Sequence, residues 1–394
     1  MEFLMRTLTV IFALAGLLLA GCSSKYRLNR DRLEIQSDWP YHRGAAAGLG
    51  LVEGSFDGRL KVVWQHRTNG KPAGPLTIYH DALVYPNTRK KIEFFDMDDG
   101  EAMGKMKITG HAATGLVAED SVGFFALCAR KNRVEAVNLL NRKELWQQPV
   151  KDAAPGSIIL ENSLIVSSGD GWVQALNLED GSRRWQTNLE SRCVAPPTAA
   201  FGLIFQPADD GRIVALDADS GTVVYRMELD GAIACAVAID QLVYAADING
   251  SVYAFDPIEG NPVWRAEAGG PIWCSPAVAH NTVVVGQSAG KVLAFDAGSG
   301  AEQWRFDCRT VVRAAPIVVG RYVVVGTMAG SLFVLDLVTG EQVDRTELSG
   351  AVAMSPVSDG RRVVVATEKG YITCFGEPNE QQHNPEDQRI HSQN

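Results

Sequence analysis

The chain has little of what usually marks a metalloprotein, a hydrolase or a nucleic-acid binder. Its histidines, His42, His66, His80, His111, His280, His383 and His391, are scattered without ligand spacing, so no metal motif is legible. Cys128, Cys193, Cys235, Cys274, Cys308 and Cys374 likewise match no metal spacing, and a core of this size needs no disulfide to hold it. There is no G-x-S-x-G elbow, and serines such as Ser220 and Ser299 sit at turns, so the mark of a serine nucleophile is missing. Basic residues number 37 against 46 acidic ones and form no cluster interleaved with aromatics, which removes nucleic acid from the expected partners. No linker-like stretch divides the middle of the chain, and no helical period runs through it.

One long apolar run is present, Leu8 to Ala20, preceded by Arg6. It is shorter than the roughly 20 residues a membrane span needs, and it reads as an export signal. It ends in Leu19-Ala20-Gly21-Cys22, which resembles a bacterial lipobox. The other reading is an ordinary signal peptide with an incidental cysteine. The lipobox resemblance implies that Cys22 is acylated and becomes the new N-terminus, and several acyl chains make a stable anchor. Ser23, where an aspartate would imply retention at the inner membrane, implies the periplasmic face of the outer membrane. The expected organisation is a signal peptide over 1–21, a lipidated tether over 22–37, a folded body over 38–376 and a disordered polar tail over 377–394.

The body is a repeat. DGWVQALNLEDGSRRW, DGRIVALDADSGTVVY, NGSVYAFDPIEGNPVW, AGKVLAFDAGSGAEQW and AGSLFVLDLVTGEQVD begin their common pattern at Gly171, Gly211, Gly250, Gly290 and Gly330, and Gly370 follows. The successive spacings are 40, 39, 40, 40 and 40 residues, a period that belongs to propellers and solenoids. Each unit alternates apolar and polar residues with β-branched or aromatic enrichment, the mark of strands. Asp170-Gly171, Asp210-Gly211 and Asn249-Gly250 supply the positive φ of tight hairpins. A second turn recurs from Asp217 to Gly221, Asp256 to Gly260, Asp296 to Gly300 and Asp336 to Gly340, where the aspartate suits an Asx turn. An aromatic follows fourteen residues after the leading glycine in most units and is expected to fill the wedge between blades. Pro197, Pro276, Pro316 and Pro356 open small-residue strands expected to be innermost. Degenerate copies ending at Trp146 and Gly100 bring the count to eight blades, or seven if the copy before Gly100 is no blade. Leu60 to Trp64 is an outer strand without its own repeat, expected to pair with the last copy and close the ring, which removes open sheet edges. The predicted fold is thus all-β, an eight-bladed propeller of four-stranded antiparallel blades closed by an N-terminal strand.

The unit resembles the PQQ-type propeller repeat, and Asp38-Trp39-Pro40-Tyr41-His42-Arg43-Gly44 resembles an opening seen in that superfamily. The superfamily contains quinone-dependent dehydrogenases and propellers that bind no quinone, so the resemblance speaks to fold before function. A lipobox followed by one propeller resembles the BamB family of outer-membrane assembly factors. That resemblance implies a non-catalytic scaffold without cofactor, held at the membrane by its lipid, whose partners are a barrel-inserting subunit and unfolded barrel precursors. Arg192 to Gly202 is similar to a loop and strand of that family, and the likeness assigns partner contact to Leu189 and Arg192. Ser191 departs from it where a second leucine is expected, and a following acidic segment is represented only by Asp230. The competing readings of Arg192 are a solvated loop charge and a contact to the next blade. The functional alternative is a PQQ-dependent or other small-ligand-binding propeller, against which stands the absence of any Cys-Cys pair. Cys193, Cys235 and Cys274 fall at similar depths of consecutive repeats, either near one channel mouth or by coincidence.

Overall fold

Eight sheets arranged as blades, each with four antiparallel strands, make up the protein, in a computed structural model that describes residues 43–112, 115–129 and 132–377; Leu51–Val52 adds a parallel fifth strand to blade 7 and His111–Ala112 a fifth to blade 2. Cys22, the tether and all of the tail but Glu377 lie outside the described residues. Among the described residues there is no helix. Blades 1 to 7 follow the chain, with blade 4 running from Thr198 to Glu228, blade 5 from Ala238 to Glu267 and blade 6 from Ala277 to Asp307. Blade 8 takes three strands from the end of the chain and its outer strand, Val62–Arg67, from the start. That strand pairs antiparallel with Tyr371–Gly376, so the ring is closed by hydrogen bonds between the two ends of the fold, as the sequence predicts.

The residue pattern explains each blade. Gly171, Gly211, Gly250, Gly290, Gly330 and Gly370 all have φ between 80° and 95°, which only glycine adopts without strain. At the second turn Asp217, Asp256, Asp296 and Asp336 accept backbone N–H bonds from residues two or three further on, closing the expected Asx turns. Between the sheets lie buried clusters of Val, Ile, Leu, Ala and Phe, each drawn from neighbouring blades.

The recurring aromatics lock blade to blade. Trp64, Trp146, Trp185, Trp264 and Trp304 each donate an indole N–H to a carbonyl of the next blade, at Met97, Leu178, Ala218, Ala297 and Leu337, over 2.8–3.1 Å. Tyr225 does the same through its hydroxyl to Pro257. Each ring lies against the glycine of the next blade's second turn. A Cβ on Gly300 would fall 2.6 Å from the Trp264 ring, so the glycine is required for contact as well as for its φ of 71°. Two junctions lack the aromatic. Gly104 replaces it in blade 1, and Asp344 replaces it in blade 7, where its carboxylate accepts the backbone N–H of Leu60 at 2.8 Å.

The segment before the closing strand forms a strap along the inner strands. Carbonyls of Ala46, Ala47, Leu49 and Gly50 accept N–H bonds from Ala199, Ile239, Val278 and Val318, one in each of blades 4 to 7. Phe56 N–H then reaches the Gly360 carbonyl in blade 8. At the head of the strap Arg43 is 2% exposed, and its guanidinium donates to the Pro276 and Pro316 carbonyls at 2.8 and 2.7 Å.

Candidate docking face and channel mouth

The face opposite the strap carries the leading-glycine turns and the loops that cross from each outer strand to the next blade. These loops are stitched to the turns by a repeated bond: Leu189, Leu229, Ala268, Cys308 and Leu348 donate their N–H groups to the carbonyls of Gly171, Gly211, Gly250, Gly290 and Gly330. The side chains at this position are apolar and turn inward. Leu189 is accordingly 1% exposed, packed with Val173, Cys193 and Ile204. This corrects the expectation that Leu189 meets a partner directly, because the position is buried or half-buried against the inter-blade core in all five of these copies. The signal was in the period: each of these residues stands eighteen places after its leading glycine.

Arg192 is placed differently. Its carbonyl accepts the Asp209 N–H at 3.0 Å, and its own N–H donates to the Asp209 carboxylate at 3.3 Å, while its side chain is exposed. Ser191 Oγ shares the same carboxylate at 3.0 Å. The guanidinium Nε reaches the Gly169 carbonyl of the preceding blade at 3.3 Å, so the loop and the base of the arginine are both tethered in a residue that remains exposed. In the following loop, Asp230 donates its N–H to the Tyr253 hydroxyl at 3.2 Å, and its carboxylate pairs with Arg265 at 2.9 Å. The Tyr253 hydroxyl in turn donates to the buried Asp247 carboxylate at 2.9 Å. Arg192 and Asp230 are thus held on one face by bonds to their own and neighbouring blades.

At the centre of this face opens a cavity of about 310 Å³. Two rings of residues line it, twenty-three and twenty-five places after the leading glycines in five copies, with Ala73 and Pro75 completing them from the start of the chain. The outer ring is Ala73, Val194, Ala234, Trp273, Arg313 and Ala353, and the inner ring is Pro75, Pro196, Ala236, Ser275, Ala315 and Ser355. Between them Cys235 and Cys274 also face the cavity, whereas Cys193 is packed in the core between blades, so only two of the three sequence-matched cysteines come together. All six cysteines of the described residues are free thiols. Burial pushes the Cys274 thiol up to about 11 and raises Cys235 further, so neither is a ready thiolate. Arg43 lies directly beneath. Burial lowers it to about 10 against the opposing effect of the two thiols, and among the described residues no carboxylate contributes to its environment. Among the described residues no group of three or more His, Cys, Asp or Glu is placed to hold a metal.

Comparison with known proteins agrees with this architecture. The family model described as outer membrane protein assembly factor BamB matches residues 130–239 and 209–394. The BamB protein of Yersinia pestis is 27% identical over 120 residues, which is 29% of this chain and 30% of the relative's length. In fold, the chain is similar to the crystal structure of BamB from Moraxella catarrhalis, at 19% identity and a TM-score of 0.70 over 81% of this chain and all of the other. It is equally similar to a europium-containing methanol dehydrogenase, at 12% identity and a TM-score of 0.71 over 88% and 99% of the two chains. Those two likenesses speak to the propeller alone. The family model spans well over half of the sequence and includes the Arg192 loop, and by that match the chain belongs to the outer membrane protein assembly factor BamB family.

Proposed function

We propose that the protein is a non-catalytic scaffold of outer-membrane β-barrel assembly, anchored through a lipid on Cys22 at the periplasmic face of the outer membrane. In this reading the face that carries Arg192 docks a periplasmic domain of the barrel-inserting subunit, and unfolded barrel precursors are secondary clients. Family membership supports the process, and the rigid outward presentation of Arg192 supports the site. A planar five-donor group with its base already fixed loses little freedom on binding, which suits an interface anchor. Anchoring confines scaffold and partner to one surface, so a modest interface is sufficient.

The test is affinity capture of the full-length protein from gently solubilised membranes, wild type beside Arg192→Ala, with mass spectrometry and an absorbance scan. The expected result is recovery of a barrel-inserting subunit with wild type and several-fold less with the variant, at unchanged thermal stability. Equal recovery with both would remove Arg192 from the interface. A stoichiometric quinone chromophore without a membrane partner would overturn the scaffold reading.

A further inference from the structure

The eight-fold repeat acts as its own control. At the outer ring of the cavity, four of six copies carry Ala or Val, and two neighbouring copies depart together with the largest side chains available, Trp273 and Arg313. The guanidinium of Arg313 lies over the Trp273 ring, 6.0 Å from its centroid. Trp273 is 44% exposed, which is unusual for a tryptophan that could have been an alanine without loss to the core. Arg313 is the single charged side chain among the described residues lining the cavity.

A second and independent observation lies below. Arg43 is buried, two of its nitrogens donate to backbone carbonyls, and its Nε–H has no hydrogen-bond partner among the described residues. The walls are mainly Ala, Pro, Cys and Met with the hydroxyls of Ser275 and Ser355, so the cavity has a largely apolar body and one positive charge at its lip, and Arg43 adds a second positive charge below the lining residues. A buried cation without a carboxylate is electrostatically incomplete. Pockets of this size with few polar groups bind one small apolar group and orient it through those groups.

We infer that the channel mouth is a binding site for an apolar group carrying a carboxylate, its ring or alkyl portion against Trp273 and its acid toward Arg313, with the buried Arg43 adding positive charge beneath the site. Two sources present that chemistry, a free small organic acid and the C-terminal residue of a peptide. The site is separate from the Arg192 loop and does not depend on the docking role proposed for it.

Calorimetric titration of the full-length protein decides the matter. The probes are 3-phenylpropionate, its amide, and a five-residue peptide ending in leucine with a free or an amidated terminus. The acid is expected to bind about tenfold more tightly than its amide, the effect of one charge-assisted hydrogen bond. Arg313→Gln should remove most of that preference, and Trp273→Ala should weaken acid and amide alike. Tighter binding of the free-terminus peptide than of the acid would identify a chain end as the source, and the reverse a free acid. Arg43→Met is informative where it folds, but the acid-to-amide ratio on the wild-type protein tests the inference without it. Equal binding of acid and amide, or no binding of either at millimolar concentration, would overturn it.

Discussion

Blades 3 to 6 and the closing arc of blades 7, 8, 1 and 2 are built from the same repeat but are joined by different chemistry. At each junction from blade 3 to blade 7 an aromatic ring seats on a turn glycine and bonds a carbonyl across the gap. The closing arc mixes this lock with charge. Asp344 caps the incoming strand at Leu60, and Arg362 reaches from blade 8 to the Met97 carbonyl and the Asp98 carboxylate of blade 1 while also pairing with Asp359. Between blades 1 and 2 both halves of the lock are absent: Gly104 replaces the ring, and Arg142 stands where the receiving glycine would be, with a φ of 63°. Volume is exchanged locally, since Phe94 faces Gly104 where Ala faces Trp in the regular blades. The lesson is that the ring and the glycine vary as a pair, because a glycine with no ring to receive has lost one of its two reasons to be there.

Three experiments break or sharpen this contrast. The largest effect is expected from Trp304→Ala, which should cost about 3–5 kcal/mol in urea denaturation, as for other buried tryptophans, while Asp344→Ala at the equivalent place should cost about 1–3 kcal/mol through one charged hydrogen bond. Similar losses at both would mean that the aromatic is not what distinguishes the regular arc. Next is Arg362→Met, which strands two carboxylates beneath the ring closure. A loss of about 3 kcal/mol is expected, with opening of the Val62–Arg67 strand detected by hydrogen exchange ahead of the regular blades. Uniform exchange around the ring would argue against a distinct closing arc.

The smallest effect is on pH dependence. Asp180, Asp217 and Asp296, in the second turns of blades 3, 4 and 6, are each held below the usual carboxylate range, first by a serine hydroxyl bond and then by backbone N–H groups. A carboxylate depressed in the folded state contributes stability above its unfolded value, and that contribution is lost as pH falls through the folded value. Melting temperature should therefore decline below about pH 4, and Asp217→Asn combined with Asp296→Asn should flatten that decline. An unchanged slope would place the acid sensitivity elsewhere.

Much of the molecule was legible in the sequence because a repeat records its constraints many times. The turn glycines, the inner prolines and the orphan strand at Leu60 to Trp64 each recur or fail to recur at a fixed place, and the fold follows from them. The candidate site was less legible. Leu189 resembled a family contact, yet its place in the period is a core place, and the repeat was the better guide. Arg192 stands at a loop position where the other repeats carry Ala232, Pro271, Val311 and Ala351; the backbone bond recurs in each, while the side chain has no place in the core, and its exposure follows. Arg43 gave no sign of its destination, because nothing in its neighbours says that it will be carried into the channel.

By itself the sequence determined the blade, since alternation, turn chemistry and period act within forty residues, and it determined that the ends must meet, since an unpaired strand and an incomplete blade can satisfy only each other. Only the tertiary structure decided what the channel contains. Trp273 and Arg313 are forty residues apart and Arg43 lies 230 residues before Trp273, and they become neighbours because ring closure brings equivalent positions of different blades, and the head of the strap, to one axis.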